Sequence, residues 1–161
     1  MQLEWQASQH DGRSAVALEE WLTEPETVEP ANVFVITDDD DEVNPWGQAG
    51  TLDGLEGEVV GYTILQLRKD QLAYHFLCQG AVHPQYRRQH GGRVLLVGAL
   101  NRARVMAEEF EFEAEEEGLA IYFEALLPSH DPTSSRLAAR CDMQPTAEPV
   151  SEGLCLYRRE L

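Results

Sequence analysis

The stretch VHPQYRRQHGGRVLL, residues 82–96, decides how the rest of the chain is read. Pro84 predicts the end of a strand because it has no N–H for pairing, and the apolar pattern after Gly92 predicts a helix. Between them stand three arginines of a chain whose formal net charge is −17: Arg87, Arg88 and Arg93. A helix start exposes unpaired N–H groups and a partial positive charge. The segment therefore predicts a site for phosphate or pyrophosphate.

Two apolar runs precede this segment, at residues 58–67 and 72–82. Both are apolar at odd and even positions, which is typical of central strands. The polar link at residues 68–70 predicts that they form an antiparallel hairpin.

A long helix is predicted after the segment, over residues 92–116. Its apolar stripe has helical spacing and comprises Leu95, Leu96, Ala99, Leu100, Ala103, Met106, Ala107 and Phe110. Gly118 is the expected stop, and the carboxylates before it oppose the helix dipole, so this end either frays or meets a cation. A strand is predicted at residues 119–125. The strand-helix-strand unit should join parallel strands by a right-handed crossover.

The outer parts of the chain complete a mixed sheet with helices. Strands are predicted at residues 32–37 and 153–159 and short helices at residues 14–23 and 134–141. Residues 38–57 read as a long polar loop, with an acidic run at residues 38–42. The order of elements favours one α/β domain over residues 1–161.

The composition limits the class of protein. Apolar residues make up 43% and charged residues 25% of the 161 residues, which is the normal range for one folded domain. The net charge of −17 argues against nucleic acid as a partner and favours a cationic one. No apolar run approaches the roughly 20 residues of a membrane span, and the N-terminus has no signal-peptide core. Three cysteines without metal-like spacing fit a reduced, cytoplasmic protein.

Two common phosphate loops do not occur in the sequence. There is no GxxxxGK[ST] and no GxGxxG, which excludes the Walker A loop and the dinucleotide fingerprint. The pattern V-H-P-x-Y-R-x-x-x-G-G-x-x-L-L instead resembles the acyl-CoA-binding motif Q/R-x-x-G-x-G/A of the GCN5-related N-acetyltransferases (GNAT). Arg87 matches the Q/R position and Gly92 the last glycine. His90 stands at the first glycine, and Gly91, one residue later, is expected to compensate in part.

The resemblance covers residues 14 to the end and implies a GNAT-like α/β (α+β) fold. Its mixed central β-sheet would have about six to seven strands flanked by helices, with a splayed strand pair holding acetyl-CoA as co-substrate. The pyrophosphate would lie on the N–H groups of residues 89–94, and an N–H near Val82 would polarise the thioester carbonyl. The cofactor-binding residues so implied are Ala81, Val82, His83, Arg87, Arg88, Gln89, His90, Gly91, Gly92, Arg93 and Val94.

The same resemblance implies direct attack by an amine, without a covalent enzyme intermediate. The amine must first lose a proton, and His75 and Glu124 are the predicted catalytic bases, with Glu58 a third candidate. The tyrosine that often protonates the leaving thiolate falls at Ala138. Tyr122, Tyr157 or solvent would have to replace it.

The expected activity is acetyl transfer from acetyl-CoA to a primary amine, either a small cationic amine or a protein amino group. The alternatives are a GNAT-like domain that binds CoA without turnover, and a docking module unrelated to CoA. No metal site is predicted, because the four histidine and cysteine candidates do not converge: His75, Cys78, His83 and His90. Dimers are common among similar proteins, which leaves a homodimer open.

Overall fold

A computed structural model describes residues 32–38 and 58–161 of the chain. The predicted helix at residues 14–23 lies outside the described residues. The predicted polar loop at residues 38–57 also lies outside them, except for Asp38. The strands are β1 (Val33–Asp38), β2 (Glu58–Lys69), β3 (Ala73–Val82), β4 (Ala120–Pro128), β5 (Gln144–Pro145) and β6 (Leu154–Glu160). The helices are α1 (Gly91–Glu117) and α2 (Pro132–Arg140), and Pro84–Tyr86 form a 3₁₀ turn.

These strands form one mixed sheet in the order β1-β2-β3-β4-β6-β5. The β2–β3 hairpin is antiparallel, and β3 and β4, which flank α1 in the chain, are parallel. Both predictions are confirmed. The six strands of the described region also agree with the expected mixed α/β sheet. Within that region, no helix combines the length and apolar character that a membrane span needs.

The core lies between the sheet and α1. The buried side chains of α1 are Leu95, Leu96, Ala99, Leu100, Ala103, Ala107 and Ala114, and Met106 and Phe110 pack at their edge. Tyr74, Phe76 and Cys78 on β3 meet this stripe because alternate residues of a strand share one face. The opposite face of β3 therefore carries His75 and Leu77.

A lysine side chain pairs with two carboxylates at the acidic C-terminal end of α1. Gly118 ends the helix with φ of 67°, and the Leu119 N–H donates to the Ala114 carbonyl, which is the expected glycine stop. Lys69, the one lysine of the chain, lies 2.9 Å from Glu113 and 3.0 Å from Glu117.

Several element boundaries differ from the sequence prediction, and one strand was missed. Strand β2 runs to Lys69, two residues into the predicted link. Strand β4 continues to Pro128 because Leu126 and Leu127 still pair with β6. Helix α2 begins at Pro132, two residues early, because the Asp131 side chain accepts the Thr133 N–H and proline suits the first helical position. The two residues of β5 were not predicted, since so short a strand has no periodicity to read.

Gly80 on β3 is a sharp test of the β2–β3 packing. A Cβ at this position would lie 2.2 Å from the Tyr62 carbonyl oxygen and 2.7 Å from the Thr63 Cα, both of them backbone atoms. We expect Gly80→Ala to lower the free energy of unfolding by about 1–3 kcal/mol, as overpacking does. Chemical denaturation measures it, with Gly98→Ala as the matched control. A Cβ at Gly98 would stand 3.5 Å from Phe34, an ordinary contact, so equal losses in the two variants would contradict this account.

Candidate active site

A gap opens in the sheet between β3 and β4. Their parallel pairing runs from Ala73 opposite Ala120 to Cys78 opposite Ala125 and stops there. Each strand nevertheless continues and keeps its outer partner: β3 pairs with β2 as far as Val82, and β4 pairs with β6 as far as Pro128. The two strands therefore separate beyond Cys78, with the vertex of the gap at the last pair.

The phase of the hydrogen bonds shows which backbone groups line this gap. The His83 N–H donates to the Val60 carbonyl over 2.8 Å, so the odd residues of β3, including Ala81, turn their backbone toward β2. The N–H and C=O of Gly80 and Val82 then point away from β2, toward the gap. Of the residues predicted at this edge, only Val82 offers its backbone there, while Gly80 was missed because hydrogen-bond phase cannot be read from one sequence.

The gap leads to an uncapped helix start. Helix α1 begins after His90, whose side chain makes no capping hydrogen bond, and no acidic residue stands in the first turn. The Val94 N–H donates to the His90 carbonyl, so Val94, one of the residues predicted to bind, has its amide inside the helix. The amides of the first turn are those of Gly91, Gly92 and Arg93.

Four more of the predicted residues surround this helix start. Arg87, Arg88, Gln89 and Arg93 are exposed. The Arg87 Nε donates to the Val82 carbonyl oxygen over 3.2 Å, which holds the turn against the end of β3. Free amides of a first helical turn together with exposed guanidinium groups are an arrangement typical of phosphate-binding sites.

The backbone of His90 has a conformation that favours glycine, the residue that the family motif has at this position. Its φ is 67°, in the left-handed region that glycine adopts without strain and that histidine tolerates better than most side chains. Gly91, which was expected to compensate in part, is the first helical residue and has no positive φ, so the left-handed position stays at His90. Gly91 instead allows close packing: a Cβ there would lie 2.7 Å from Ile36 Cδ1.

The two predicted bases lie side by side on the face of the sheet opposite α1. His75 Nδ1 is 3.1 Å from Glu124 Oε1, and His75 Nε2 is 3.0 Å from Asp70 Oδ2. Both ring nitrogens therefore face carboxylates, so the imidazole presents no unoccupied nitrogen to an amine. Glu124 is the better placed of the two, since it stands opposite Leu77, one residue before the vertex of the gap.

Arg158 on β6 completes this cluster and was missed from the sequence. Its Nε donates to Glu124 Oε1 over 2.7 Å, and its guanidinium stacks 4.8 Å from the centre of the Tyr122 ring. Arg158 Nη2, which also contacts Glu124, donates to Glu148 Oε1 over 2.6 Å. The contact follows from the antiparallel register that sets Glu124 opposite Arg158. Nothing in a single sequence specifies that register.

The cluster and the anion site are far apart. Seven residues of extended β3 separate His75 from Val82, which is about 23 Å at roughly 3.3 Å per residue. An extended ligand such as a phosphopantetheine arm would be needed to join the helix start to the vertex beside Glu124. The third base candidate, Glu58, begins β2 at the strand's far end from His75, since Arg68 is the residue opposite His75.

The tyrosines differ in their access to the vertex. Ala138, which stands where the family pattern often has a tyrosine, is buried in α2 and has no hydroxyl that could protonate the leaving thiolate. Tyr157 stands opposite Ala125, at the vertex, on the α1 side. Burial raises the pKa of Tyr157, which keeps its phenol protonated. Tyr122 lies further back, opposite His75.

Cys78 sits at the vertex but is not suited to be a nucleophile. Its buried Sγ lies 3.0 Å from Thr63 Oγ1, and burial raises the pKa of its thiol to about 11. We expect Cys78 in the native protein to resist iodoacetamide at pH 8 and to react on unfolding, as peptide mapping by mass spectrometry would show. The partly exposed Cys155 is the internal comparison. Modification of Cys78 before Cys155 would contradict the burial described here.

Metal ligands do not cluster in the described parts of the chain. Within residues 32–38 and 58–161, no group of three or more histidine, cysteine, aspartate or glutamate side chains could hold a metal ion.

The sequence matches one protein family over most of its length. Most of it, residues 6–126, matches the family described as the acetyltransferase (GNAT) family. The chain therefore belongs to the GNAT acetyltransferases. No curated protein matches its sequence.

Several solved structures share the fold at low sequence identity. The NatC complex bound to Gag peptide and CoA contains a chain with a TM-score of 0.63 and 10% identity, covering 99% of this chain and 88% of that one. Ard1 from Thermoplasma volcanium has a TM-score of 0.58 and 15% identity, and the match covers 98% of this chain and 86% of Ard1. The structure of yncA from Salmonella typhimurium with acetyl-CoA has a TM-score of 0.44 and 23% identity, and the match covers 65% of this chain. This chain spans only 59% of yncA.

Proposed function

We propose that this protein transfers an acetyl group from acetyl-CoA to a primary amine by direct attack. The observation that carries the proposal is the gap between β3 and β4, which runs from the uncapped start of α1 to a vertex beside Glu124. The family supports it, and so does the CoA bound to its structural neighbour NatC.

The helix start would hold the pyrophosphate. The amides of Gly91, Gly92 and Arg93 donate along the axis of α1, and the dipole of this long helix favours an anion there. The exposed guanidinium groups of Arg87 and Arg88 add charge at the same end of the gap. No acidic side chain of the first turn competes for these donors.

The edge of β3 would hold the pantetheine arm. Gly80 and Val82 turn their N–H groups into the gap, where an extended arm can add to the sheet like another strand. A backbone N–H at this edge also stabilises the negative charge that develops on the thioester oxygen. The acetyl thioester itself supplies an activated carbonyl carbon to the attacking amine.

Glu124 is assigned as the base and Tyr157 as the acid. The Glu124 carboxylate lies beside the vertex and would take the proton that an ammonium substrate must lose before it attacks. Tyr157 lies at the same vertex on the α1 side, and its raised pKa keeps a proton available for the leaving thiolate. The amine nitrogen then bonds to the acetyl carbon while the carbon–sulfur bond breaks. The nitrogen gives up a second proton, which replaces the one that Tyr157 donates to the thiolate, so the products are the amide and CoA and the enzyme is never acetylated.

The acceptor is expected to be cationic. The chain carries a net charge of −17, which attracts cations over long range and repels competing anions. Both a small polyamine and a protein amino group fit this condition.

A CoA-release assay tests the function directly. The panel would contain a monoamine, a diamine, a polyamine and peptides with free lysine or N-terminal amino groups, each with acetyl-CoA. We expect amine-dependent release, highest for the more highly charged acceptors and reduced by salt. Acetyl-CoA binding without release for any acceptor would instead support a non-catalytic CoA-binding domain. The methyl group of Ala138, where the family usually has a tyrosine, is the observation that favours that second candidate.

A further inference from the structure

We propose that Glu124, His75 and Asp70 form a path that carries the proton of the acceptor ammonium from the vertex of the gap to solvent. The inference rests on the proposed function and extends it to residues that do not touch the substrates. Its basis is an unbroken series of contacts: Glu124 Oε1 to His75 Nδ1 at 3.1 Å, and His75 Nε2 to Asp70 Oδ2 at 3.0 Å.

The exposure of the three side chains increases in one direction. Glu124 is 7% exposed, His75 is 18% exposed and Asp70 is 57% exposed. Glu124 is surrounded by Arg158, His75 and the strands, so a proton that it accepts needs a route to water. The imidazole is the one group of the series that can take a proton at one nitrogen and release another at the second.

The transfer balances without any further reactant. Glu124 accepts one proton from the ammonium, and its Oε1 passes a proton to His75 Nδ1. His75 Nε2 gives a proton to Asp70 Oδ2, and Asp70 gives it to water. One proton has left the amine and one has entered solvent, and no electrons are exchanged. The imidazole then carries its proton at Nδ1, and it returns to the starting tautomer when that contact to Glu124 opens and the proton exchanges with water.

The surroundings keep Asp70, the solvent end of the path, deprotonated and able to release to water any proton that it receives. The Arg158 guanidinium also contacts Glu124 Oε1, over 2.5 Å from Nη2. The N–H groups of Leu72 and Ala73 donate to Asp70 Oδ1 and, with His75, lower the pKa of Asp70, so it is a carboxylate at neutral pH. Tyr122 contacts the imidazole at 5.9 Å between ring centres. Arg68 stands opposite His75 on β2.

Asp70→Asn is the sharpest variant for the test. The asparagine keeps Oδ1 as acceptor for Leu72 and Ala73, so the turn is preserved, while its amide nitrogen cannot receive a proton. His75→Gln removes the relay itself. Asp142→Asn is the matched control, since Asp142 is 87% exposed and outside the path.

The measurements are steady-state rates against pH, the solvent deuterium isotope effect and rescue by added imidazole. We expect His75→Gln to lower kcat on the order of 10²-fold and Asp70→Asn on the order of tenfold, with unchanged Kd for acetyl-CoA. Imidazole buffer should restore much of the loss in both variants, and the isotope effect on kcat should increase. Asp142→Asn should match the wild-type protein.

Different results would overturn different claims. Wild-type turnover with a normal kcat in His75→Gln would refute the path and leave the acetyltransferase intact. A lowered kcat that imidazole does not rescue, with an unchanged pH profile and a lowered melting temperature, would show a purely structural cluster. Absence of amine-dependent release by the wild-type protein would remove the proposed function, and the path with it.

Discussion

Glu124→Gln is expected to lower kcat by about 10²-fold or more while acetyl-CoA binds as before, because general base catalysis contributes about that much. Glutamine has nearly the same shape, and its amide oxygen can still accept the hydrogen bond from Arg158 Nε. It cannot take up a proton. The loss should therefore appear in kcat rather than in KM for either substrate, measured by CoA release over the amine panel.

Glu148→Gln separates the chemistry from the charge pairing. Glu148 also binds the Arg158 guanidinium, at 2.6 Å, but it is 51% exposed and has no contact with His75 in the hydrogen-bond network described above. The Glu148→Gln substitution also removes a carboxylate from the Arg158 guanidinium, but it should keep a kcat close to that of the wild-type protein. Equal losses in the two variants, or none in Glu124→Gln, would show that Glu124 is not the base.

Gly92→Leu is expected to remove acetyl-CoA binding while the protein stays folded. Among the described residues, a Cβ at Gly92 would have only Leu137 Cδ2 within 4 Å, at 4.0 Å, so this part of the fold leaves room for a larger side chain at the helix start. There it would block the approach to the amides of the first turn. Loss of two hydrogen bonds to a charged group, at about 1.5–3 kcal/mol each, lowers the affinity at least about 100-fold.

Calorimetric titration with acetyl-CoA and a thermal melt check this pair of expectations. Gly92→Ala is the graded variant and should weaken binding less than Gly92→Leu. Gly98→Ala, on the same helix, should leave the affinity unchanged and slightly stabilise the fold, because glycine is a poor helix former. Wild-type affinity in Gly92→Leu would mean that the pyrophosphate does not lie on the start of α1.

The sequence predicted the central elements because their signals are periodic and local. The stripe from Leu95 to Phe110 and the stop at Gly118 determine α1, and the apolar runs on either side of residues 68–70 determine the hairpin. The start of α2 was misplaced although its signal was present in the sequence, in Asp131 followed by Pro132. The two residues of β5 depend on tertiary pairing with β6 alone.

The site was predictable in its residue types but not in its connections. His75 and Glu124 were recognised as candidates, yet their contact depends on the parallel register of β3 and β4. Arg158 and Asp70 were missed because one reaches Glu124 through an antiparallel register and the other through a turn. The left-handed backbone of His90 could be inferred only from the family pattern, since histidine itself gives no such signal.

The central claim is that acetyl-CoA occupies the gap from the start of α1 to the vertex beside Glu124. Amide hydrogen exchange, with and without acetyl-CoA, tests it most directly. Slower exchange is expected at Gly80 and Val82 and at Gly91, Gly92 and Arg93, whereas Ala81, whose N–H already pairs with β2, should change little. Binding of acetyl-CoA that leaves these amides unprotected, or protects only residues elsewhere in the chain, would contradict the account.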